Sequence, residues 1–182
     1  EVVDKINIVR KGGEFGVYYE AYKFLRGKQF DVVIDQVNTI PFFTPLYYSG
    51  KKIVFFHQLC EEIWFYETSF PLSLLGYVAE KMYVLLYRNV PALVVSQSTK
   101  KNLSHYGFRK VFVMRDCIDT KPIPTVVPKE KNMLIYVGRL KKSKRVHDII
   151  QAFRLVQEKI PEATLHIVGR GDQAYEKALR EL

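Results

Sequence analysis

The chain has 182 residues, 48% of them hydrophobic and 14% aromatic, which is enough to bury a packed core and argues against wholesale disorder. Lys and Arg outnumber Asp and Glu by 28 to 19, and the net charge of +9 favours an anionic partner such as a nucleotide, a nucleic acid or an acidic membrane surface. Two distant cysteines without a Cys-x-x-Cys pattern exclude a disulfide framework and a zinc site, which fits a reducing, cytoplasmic compartment.

Apolar runs and stretches of helical period alternate through the first 114 residues. Strands are predicted at residues 6–10, 30–35, 52–57, 92–96 and 110–114, and helices at residues 15–27, 71–88 and 97–106. This alternation predicts an α/β fold with a parallel sheet. The most apolar stretch, residues 71–90, carries Glu80, Lys81 and Arg88, so we interpret it as a buried or interfacial helix and not as a membrane span.

A proline-containing stretch without helical period, residues 119–132, predicts an extended connector between domains. The pattern then restarts, with strands at 133–138 and 163–168, a helix between them and a last helix that reaches the final residue. The apolar face of the middle helix comprises Val146, Ile149, Ile150, Phe153 and Val156. We therefore predict one domain at 1–120, a linker at 121–132 and a second domain at 133–182.

Five basic side chains occupy the seven positions 139–145, between a predicted strand and a predicted helix. Ligands of open parallel sheets collect where strands end and helix N-termini begin. Gly138 lets a ligand approach the backbone, Arg139 can form a bidentate fork to a phosphate, and Lys144 adds a point charge. The pattern favours a diphosphate site, and a solvated lysine-rich loop is the alternative interpretation.

A second turn contains Gly169-x-Gly171-x-x-Ala174, which matches the dinucleotide-binding fingerprint in its Ala-ended form. The acidic residue that the fingerprint needs about 20 positions further on would lie beyond Leu182, and the preceding strand does not open the domain. A tight turn that requires glycine explains the same residues equally well.

Two residues of the first domain are candidate ligand contacts. His57 ends a predicted strand and can exchange a proton near neutral pH or bind sugar hydroxyls or a phosphate, although a structural histidine fits the same position. Ser96 and Ser98 precede a helix, where either can cap the first turn or Ser98 can face a cleft between domains. The segment 57–62, His-x-x-Cys-Glu-Glu, lacks the second ligand pair of a structural metal site, so no metal is predicted.

The segment YVGRLKKSKRVHDIIQAFRLVQEKIPEATLHIVGRG, residues 136–171, resembles the opening of the donor-binding domain of the family 4 (group 1) retaining glycosyltransferases. The shared features are Gly-Arg-Leu, a Lys five residues after the Arg, an amphipathic helix ending in Ala-Phe and a strand ending in Gly-x-Gly. Residues 30–67 and 92–119 resemble the second half of the N-terminal domain of that family. The resemblance thus covers nearly the whole chain.

The resemblance implies a GT-B fold, in which two Rossmann-like domains face each other across a cleft, and sugar transfer from a nucleotide donor with retained anomeric configuration. It implies that Arg139 and Lys144 hold the donor diphosphate, that Gly138 and Gly171 keep the backbone close to the nucleotide, and that His57 faces the transferred sugar. No cofactor and no essential metal are expected. The candidate catalytic residue is His57, and the candidate donor-binding residues are Gly138, Arg139, Lys144, Gly169, Gly171 and Ser98.

The sequence departs from the family pattern in several places. Arg145 stands where a glycine normally follows the lysine, and Asp116-Cys117-Ile118-Asp119 replaces an Asn-Gly-Val-Asp turn. The family's N-terminal glycine-rich loop would lie upstream of Glu1, and its Glu-x7-Glu segment would lie beyond Leu182. The chain is therefore expected to be a fragment with two incomplete domains, lacking half of its active site.

The expected partners are a nucleotide-sugar donor and a sugar acceptor, either lipid-linked or a growing glycan, without nucleic acid. The expected location is cytoplasmic, with peripheral contact at the inner face of the membrane as a further expectation. Two other interpretations stay open. A basic module for nucleic acid or anionic lipid predicts affinity that collapses with salt, and an NAD-dependent enzyme predicts dinucleotide binding at the Gly169 turn.

Overall fold

The computed structural model describes residues 1–115, 117, 120 and 128–182. Their elements in chain order are β1 (Val2–Val3), β2 (Ile6–Asn7), α1 (Gly13–Leu25), β3 (Val33–Val37), β4 (Lys52–Phe56), α2 (Ile63–Glu67), α3 (Leu72–Leu86), β5 (Ala92–Val94), α4 (Gln97–His105), β6 (Val111–Val113), β7 (Met133–Val137), α5 (Val146–Gln157), β8 (Thr164–Val168) and α6 (Gln173–Arg180). Short 3-10 turns occupy Thr44–Leu46 and Lys142–Lys144.

The described residues form two compact units. The first unit comprises residues 1–61, 75–115 and 117, and the second comprises residues 62–74, 120 and 128–182. Most of the predicted linker lies outside the described residues, so the proposed domains 1–120 and 133–182 stay a prediction. The structure adds that residues 62–74 pack with the second unit.

The first unit is built on a parallel sheet in the order β3-β4-β5-β6. In its register Val54 pairs with Asp35 on one side and with Ala92 on the other. The four strands overlap the strands predicted at 30–35, 52–57, 92–96 and 110–114, and α1, α3 and α4 overlap the predicted helices. The predicted α/β class with parallel strands is therefore confirmed.

The strand predicted at residues 6–10 is confirmed only at Ile6–Asn7, and it does not belong to the parallel sheet. Residues 6 and 7 belong instead to an antiparallel hairpin, in which β2 pairs with β1. Asp4 and Lys5 connect the two strands with positive φ angles of 48° and 66°, as a two-residue type I′ turn requires. Because this local turn pairs Ile6 with Val3, the segment does not join the parallel sheet.

The core of the first unit lies between the sheet and one face each of α3 and α4. Fully buried side chains contribute about 1.5–3 kcal/mol each to such a core. The most buried members are Val54, Phe56, Val84, Tyr87, Val94 and Leu103. The opposite face of α3 exposes Val78, Met82 and Leu85. Within the described ranges, no helix combines the length and the apolar composition that a membrane crossing needs.

The second unit contains the parallel pair β7-β8, the helices α5 and α6, and the short helix α2. The strands and the two longer helices overlap those predicted at 133–182, whereas α2 was not predicted. Along α5 the predicted apolar face is the less exposed one, and Val146 is fully buried. Val146 packs with Leu140 and Leu179 in a small core, with Tyr136, Ile150, Ile167 and Tyr175 around it.

Candidate functional site

Residues 139–145, here called the basic turn, follow the carboxyl end of β7 and lead into α5. Its one apolar residue, Leu140, is buried in the core and thereby anchors the turn. The Leu140 N–H donates to the Arg170 carbonyl at 2.9 Å, and the Tyr136 hydroxyl donates to the Arg139 carbonyl at 3.1 Å. The backbone is thus held from two sides, while Arg139 and Lys144 are exposed.

The cations of the basic turn differ in whether a carboxylate neutralises them. Lys141 pairs with Glu67 at 3.0 Å, and Arg145 pairs with Asp148 at 2.5 Å. Arg139 and Lys144 make no ion pair with any described residue. The two residues that the sequence assigns to a diphosphate are therefore, together with Lys142, the cations of the turn that no described carboxylate pairs with, and their attraction for an anion is not offset by a neighbouring acid.

The N-terminus of α5 contributes further to this positive region. No side chain among the described residues caps it, but the Asp148 N–H donates to the Arg145 carbonyl at 3.0 Å, and Asp148 is an acidic residue of the first turn. The positive end of the helix dipole still favours an anion here. Arg145 precedes the helix with φ +50° and ψ +40°, a left-handed conformation that favours glycine. This geometry is the physical reason why glycine suits this position. The arginine that stands here therefore departs from the family pattern.

Residues 169–172, here called the glycine turn, follow β8 beside the basic turn. The ladder between the two strands continues past their ends: the Gly138 N–H donates to the Val168 carbonyl at 3.0 Å, and Leu140 bridges to Gly171. A Cβ atom at Gly169 would overlap the Gly138 carbonyl oxygen, and one at Gly171 would overlap the Leu140 carbonyl oxygen. Close backbone packing thus accounts for both glycines, and their contact with a nucleotide stays a prediction.

The helix after the glycine turn, α6, is capped by its own carboxylates. Asp172 Oδ1 accepts hydrogen bonds from the N–H groups of Ala174 and Tyr175 at 3.0 and 3.1 Å, and Glu176 Oε1 accepts one from the Gly171 N–H at 2.6 Å. A dinucleotide pyrophosphate needs these donors. Three N–H groups that a pyrophosphate could use at this turn therefore already have side-chain acceptors. The sequence analysis missed this cap, although Asp before a helix is a recognised capping signal.

A carboxylate from α2 lies against the basic turn. Glu67 Oε2 accepts a hydrogen bond from Lys141 Nζ at 3.0 Å, and Glu67 Oε1 accepts one from the Ser143 hydroxyl. Burial alone would raise the pKa of Glu67, but the hydrogen bonds from Ser143 and Lys141 and the Lys141 charge outweigh it and lower the pKa. No local signal in the sequence could reveal this contact, because 74 residues separate its partners.

A groove of about 800 Å³ runs beside this contact in the second unit. Aromatic and charged side chains share its wall, among them Phe65, Tyr66, Phe70, Lys141, Asp172 and Tyr175. Lys141 belongs both to the wall of the groove and to the basic turn, so the two form one continuous surface.

In the first unit, His57 directly follows the last residue of β4. Its backbone N–H donates to the Val37 carbonyl at 3.4 Å, and its ring packs on Phe55 with centroids 4.5 Å apart. The Gln36 amide Nε2 lies 2.6 Å from His57 Nε2. Since an amide N–H only donates, His57 Nε2 accepts and the ring proton belongs on Nδ1. The histidine is oriented by its neighbours, which suits either a structural or a ligand-binding residue.

The capping role at α4 belongs to Ser96 and not to Ser98. Ser96 Oγ accepts a hydrogen bond from the Thr99 N–H at 3.1 Å. Ser98 is exposed, with its Oγ 2.8 Å from Ser96 Oγ. Its hydroxyl is therefore not required for the cap, and its contact with a donor stays a prediction.

Two buried carboxylates that the sequence analysis did not single out hold the loops after β3 and β4. Asp35 accepts hydrogen bonds from the N–H groups of Phe42 and Thr44 and from the hydroxyls of Thr44 and Tyr87. Burial, followed by the contact with Asp35, raises the pKa of Tyr87, which keeps that hydroxyl a donor. An acidic residue inside an apolar strand is a signal that could have found Asp35, since buried charges are rare unless they are hydrogen-bonded.

Glu80 holds the loop that follows His57. Its two oxygens accept hydrogen bonds from the Cys60 N–H at 2.7 Å and the Glu61 N–H at 2.6 Å, and its side chain is almost fully buried in α3. The sequence analysis noted Glu80 only as a reason against a membrane span. Its position in an apolar helix signals instead a buried acceptor for loop backbone.

The structure thus brings five of the predicted site residues together in the second unit, and the other two belong to the first unit. Gly138, Arg139 and Lys144 of the basic-turn region lie beside Gly169 and Gly171 in the second unit, whereas His57 and Ser98 belong to the first unit. Of the predicted turn at 116–119, only Cys117 is among the described residues. The described residues contain no group of three or more His, Cys, Asp or Glu side chains placed to hold a metal ion.

Comparison with known proteins bears on the second unit. Residues 118–182 match the family model described as glycosyl transferases group 1, and this stretch contains both turns. No curated protein matches the chain. The match supports the group 1 family and, in general terms, glycosyltransferase activity with a nucleotide-sugar donor and an acceptor. The mixed α/β fold with parallel sheets is consistent with the Rossmann-like units of GT-B proteins.

Proposed function

We propose that the chain belongs to a family 4 glycosyltransferase that moves a sugar from a nucleotide-sugar donor to an acceptor with retention of configuration. The observation that carries the proposal is the pair Arg139 and Lys144. These are two exposed cations without an acidic partner among the described residues, at the carboxyl end of a parallel strand and beside an uncapped helix N-terminus. They lie in the segment that matches the group 1 family.

In this proposal the chemistry at the donor is electrostatic. Arg139 forms a bidentate contact with the diphosphate and Lys144 supplies a point charge, so both stabilise negative charge as it develops on the leaving group. Gly138 and Gly171 let the nucleotide approach the backbone, and Gly169 keeps the two turns in contact. The Ser98 hydroxyl makes a further contact with the nucleotide sugar. Because two side-chain cations neutralise the diphosphate, the proposed reaction needs no essential metal and no cofactor.

We assign His57 to the transferred sugar. The Gln36 amide is directed at Nε2, which leaves the Nδ1 proton as the group able to donate a hydrogen bond to a sugar hydroxyl. Glu80 supports this role indirectly, because it fixes the backbone of Cys60 and Glu61 in the loop that follows. In this proposal His57 is a contact residue and Glu80 a positioning residue.

The proposed acceptor is lipid-linked or a growing glycan, reached from the cytoplasmic side with peripheral membrane contact. The net charge of +9 and the exposed apolar residues Val78, Met82 and Leu85 of α3 support this part of the proposal. A basic protein with an exposed apolar helix face is attracted to anionic lipid and can insert shallowly at its surface.

Calorimetric titration of the chain with UDP-, GDP- and ADP-sugars at moderate salt tests the proposal. Saturable binding of one nucleotide sugar is expected, and it would name the donor base. NAD and a short DNA duplex serve as controls. Binding of DNA alone, lost as salt rises, would replace the proposal with a basic binding module, and binding of NAD alone would replace it with a dinucleotide enzyme.

A further inference from the structure

The contact between Glu67 and the basic turn has the form of an occupied anion site. Each carboxylate oxygen receives its own donor, Lys141 Nζ on one side and the Ser143 hydroxyl on the other. Two oxygens of a phosphate group can accept from the same two donors, since a phosphate offers three acceptor oxygens and a larger negative charge. The carboxylate thus shows which donors an anion meets here.

The carboxylate stands at the end of a short helix. Glu67 is the last residue of α2, a helix of five residues that buries none of its side chains. The ion pair itself is open to water, with the Lys141 and Glu67 side chains 43% and 30% exposed. Exposed ion pairs contribute little to stability, and short elements with few buried contacts open readily. The carboxylate can therefore leave the turn without unfolding the second unit.

We propose that Lys141 and Ser143 form a further phosphate-binding pair in the basic turn, and that Glu67 occupies this pair until a diphosphate group displaces it. The inference rests on the proposed function only in identifying that group with the diphosphate of a nucleotide-sugar donor. It adds to the predicted site two residues that the sequence analysis did not assign, and it makes Glu67 an internal competitor.

An internal competitor lowers the apparent affinity for its rival. Only the fraction of molecules with Glu67 released can bind, so the apparent Kd equals the intrinsic Kd divided by that fraction. A solvent-exposed pair supported by one additional hydrogen bond shifts this equilibrium modestly. Removal of the Glu67 charge is therefore expected to tighten diphosphate binding by about three- to tenfold.

Titration of the 182-residue chain with inorganic pyrophosphate at low ionic strength tests the inference, with binding measured by calorimetry. The variant Glu67→Gln keeps the shape of the side chain and is expected to bind about three- to tenfold more tightly than the unmodified chain. The matched control is Glu62→Gln, which removes the same charge from an exposed residue that immediately precedes α2. Its affinity should stay within about twofold of the unmodified chain.

Two lysine variants test which cation of the basic turn binds the phosphate. Lys141→Ala should weaken pyrophosphate binding more than Lys142→Ala, although both remove one cation from the same turn. In the Lys141→Ala background, Glu67→Gln should change the affinity by less than about twofold, because the competitor and the ligand have lost their shared partner. Circular dichroism and thermal unfolding of each variant establish that the fold is retained.

The inference is overturned if Glu67→Gln binds pyrophosphate no better than Glu62→Gln, or if no variant binds pyrophosphate at all. A parallel titration with UDP-, GDP- and ADP-sugars separates this outcome from failure of the proposed function. Tighter pyrophosphate binding without any nucleotide-sugar binding would leave the phosphate pair standing and remove the proposed function. If Glu67→Gln and Glu62→Gln bind the nucleotide sugar equally and also bind pyrophosphate equally, the proposed function would stand and the phosphate pair would be removed.

Discussion

The basic turn and the glycine turn follow neighbouring parallel strands and lead into helices, yet they differ in how their polar groups are satisfied. In the glycine turn, Asp172 and Glu176 accept hydrogen bonds from the backbone N–H groups at the start of α6. In the basic turn, the start of α5 has no such cap among the described residues, and Arg139 and Lys144 have no acidic partner there. The first arrangement completes itself, whereas the second is suited to an external anion.

This difference separates two meanings of glycine at the end of a strand. Gly169 and Gly171 are needed because the carbonyl groups of Gly138 and Leu140, at the end of the neighbouring strand, occupy the space that a side chain would fill. A Cβ at Gly138 would meet only the side chain of Tyr136, with its hydroxyl 2.8 Å away. Glycine spacing alone therefore indicates close backbone packing, and unpaired cations beside it are the better sign of a phosphate site.

The largest expected effect is on folding. Gly169→Ala forces the new methyl group into the Gly138 carbonyl and should destabilise the second unit by about 3 kcal/mol or more. Gly138→Ala displaces only the Tyr136 hydroxyl and its hydrogen bond to Arg139, so its cost should be about 1 kcal/mol. Urea unfolding, followed by the fluorescence of Trp64, the single tryptophan, reports on the second unit.

A control for general effects of adding a methyl group is available in α1. Gly16 has open space around its Cβ position and an ordinary φ, so Gly16→Ala should stabilise the chain by about 0.5–1 kcal/mol. Equal losses for Gly169→Ala and Gly138→Ala would contradict the claim that backbone packing distinguishes the two glycines.

The next effect concerns binding and not folding. Lys144→Ala should cost about 1.5 to 3 kcal/mol of donor diphosphate binding, roughly ten- to a hundredfold in Kd, with little change in stability. Lys142→Ala is the matched control, because it removes the same charge from an exposed position in the same turn. Calorimetric titration with the nucleotide sugar compares them. An unchanged affinity in Lys144→Ala would remove this residue from the site.

Much of the fold was predictable because the apolar periods of strands and helices are local. The four parallel strands of the first unit and both strands of the second overlap their predicted positions. At residues 6–10 a strand is present at Ile6–Asn7, but its pairing was not predictable, because the turn at Asp4 and Lys5 imposes a hairpin that the apolar run does not reveal. It also omits α2, a five-residue helix too short to show a period.

The candidate site was predictable only in its charged, contiguous part. Arg139 and Lys144 could be proposed from the sequence because neighbours in a strand-to-helix turn stay neighbours in space, and their role in binding stays a prediction. Glu67 was not found, because its contact with Lys141 joins residues 74 positions apart. Asp35 was missed for another reason: its place inside an apolar strand was a local signal of a buried carboxylate that was not used, although its partners in the loop and in α3 could not be identified from the sequence.

A smaller effect is expected at the cap of α6. Asp172→Ala removes the acceptor of two helix N–H groups and should cost about 1 kcal/mol of stability. Asp172→Asn should lose much less, because asparagine caps helices nearly as well. Thermal unfolding of the two variants measures the difference. Neither variant should alter nucleotide-sugar affinity by more than about twofold, and a larger loss would mean that the Asp172 side chain also contributes to the ligand site.

The smallest effect concerns Arg145, whose left-handed backbone conformation marks the start of α5. Both Arg145→Gly and Arg145→Ala remove the ion pair with Asp148, so their difference reports on the backbone alone. Relief of a non-glycine residue from this conformation is worth about 1 kcal/mol, and the greater freedom of glycine in the unfolded chain offsets about half of it. Arg145→Gly should therefore be more stable than Arg145→Ala by about 0.5 kcal/mol, as measured by urea unfolding. If the alanine variant is instead the more stable one, the arginine is not held in a strained conformation. There is then no cost in backbone stability for a charge interaction of Arg145 to offset. If the glycine variant is more stable, the arginine stands here at a cost in backbone stability, and its ion pair with Asp148 is the contact that offsets this cost.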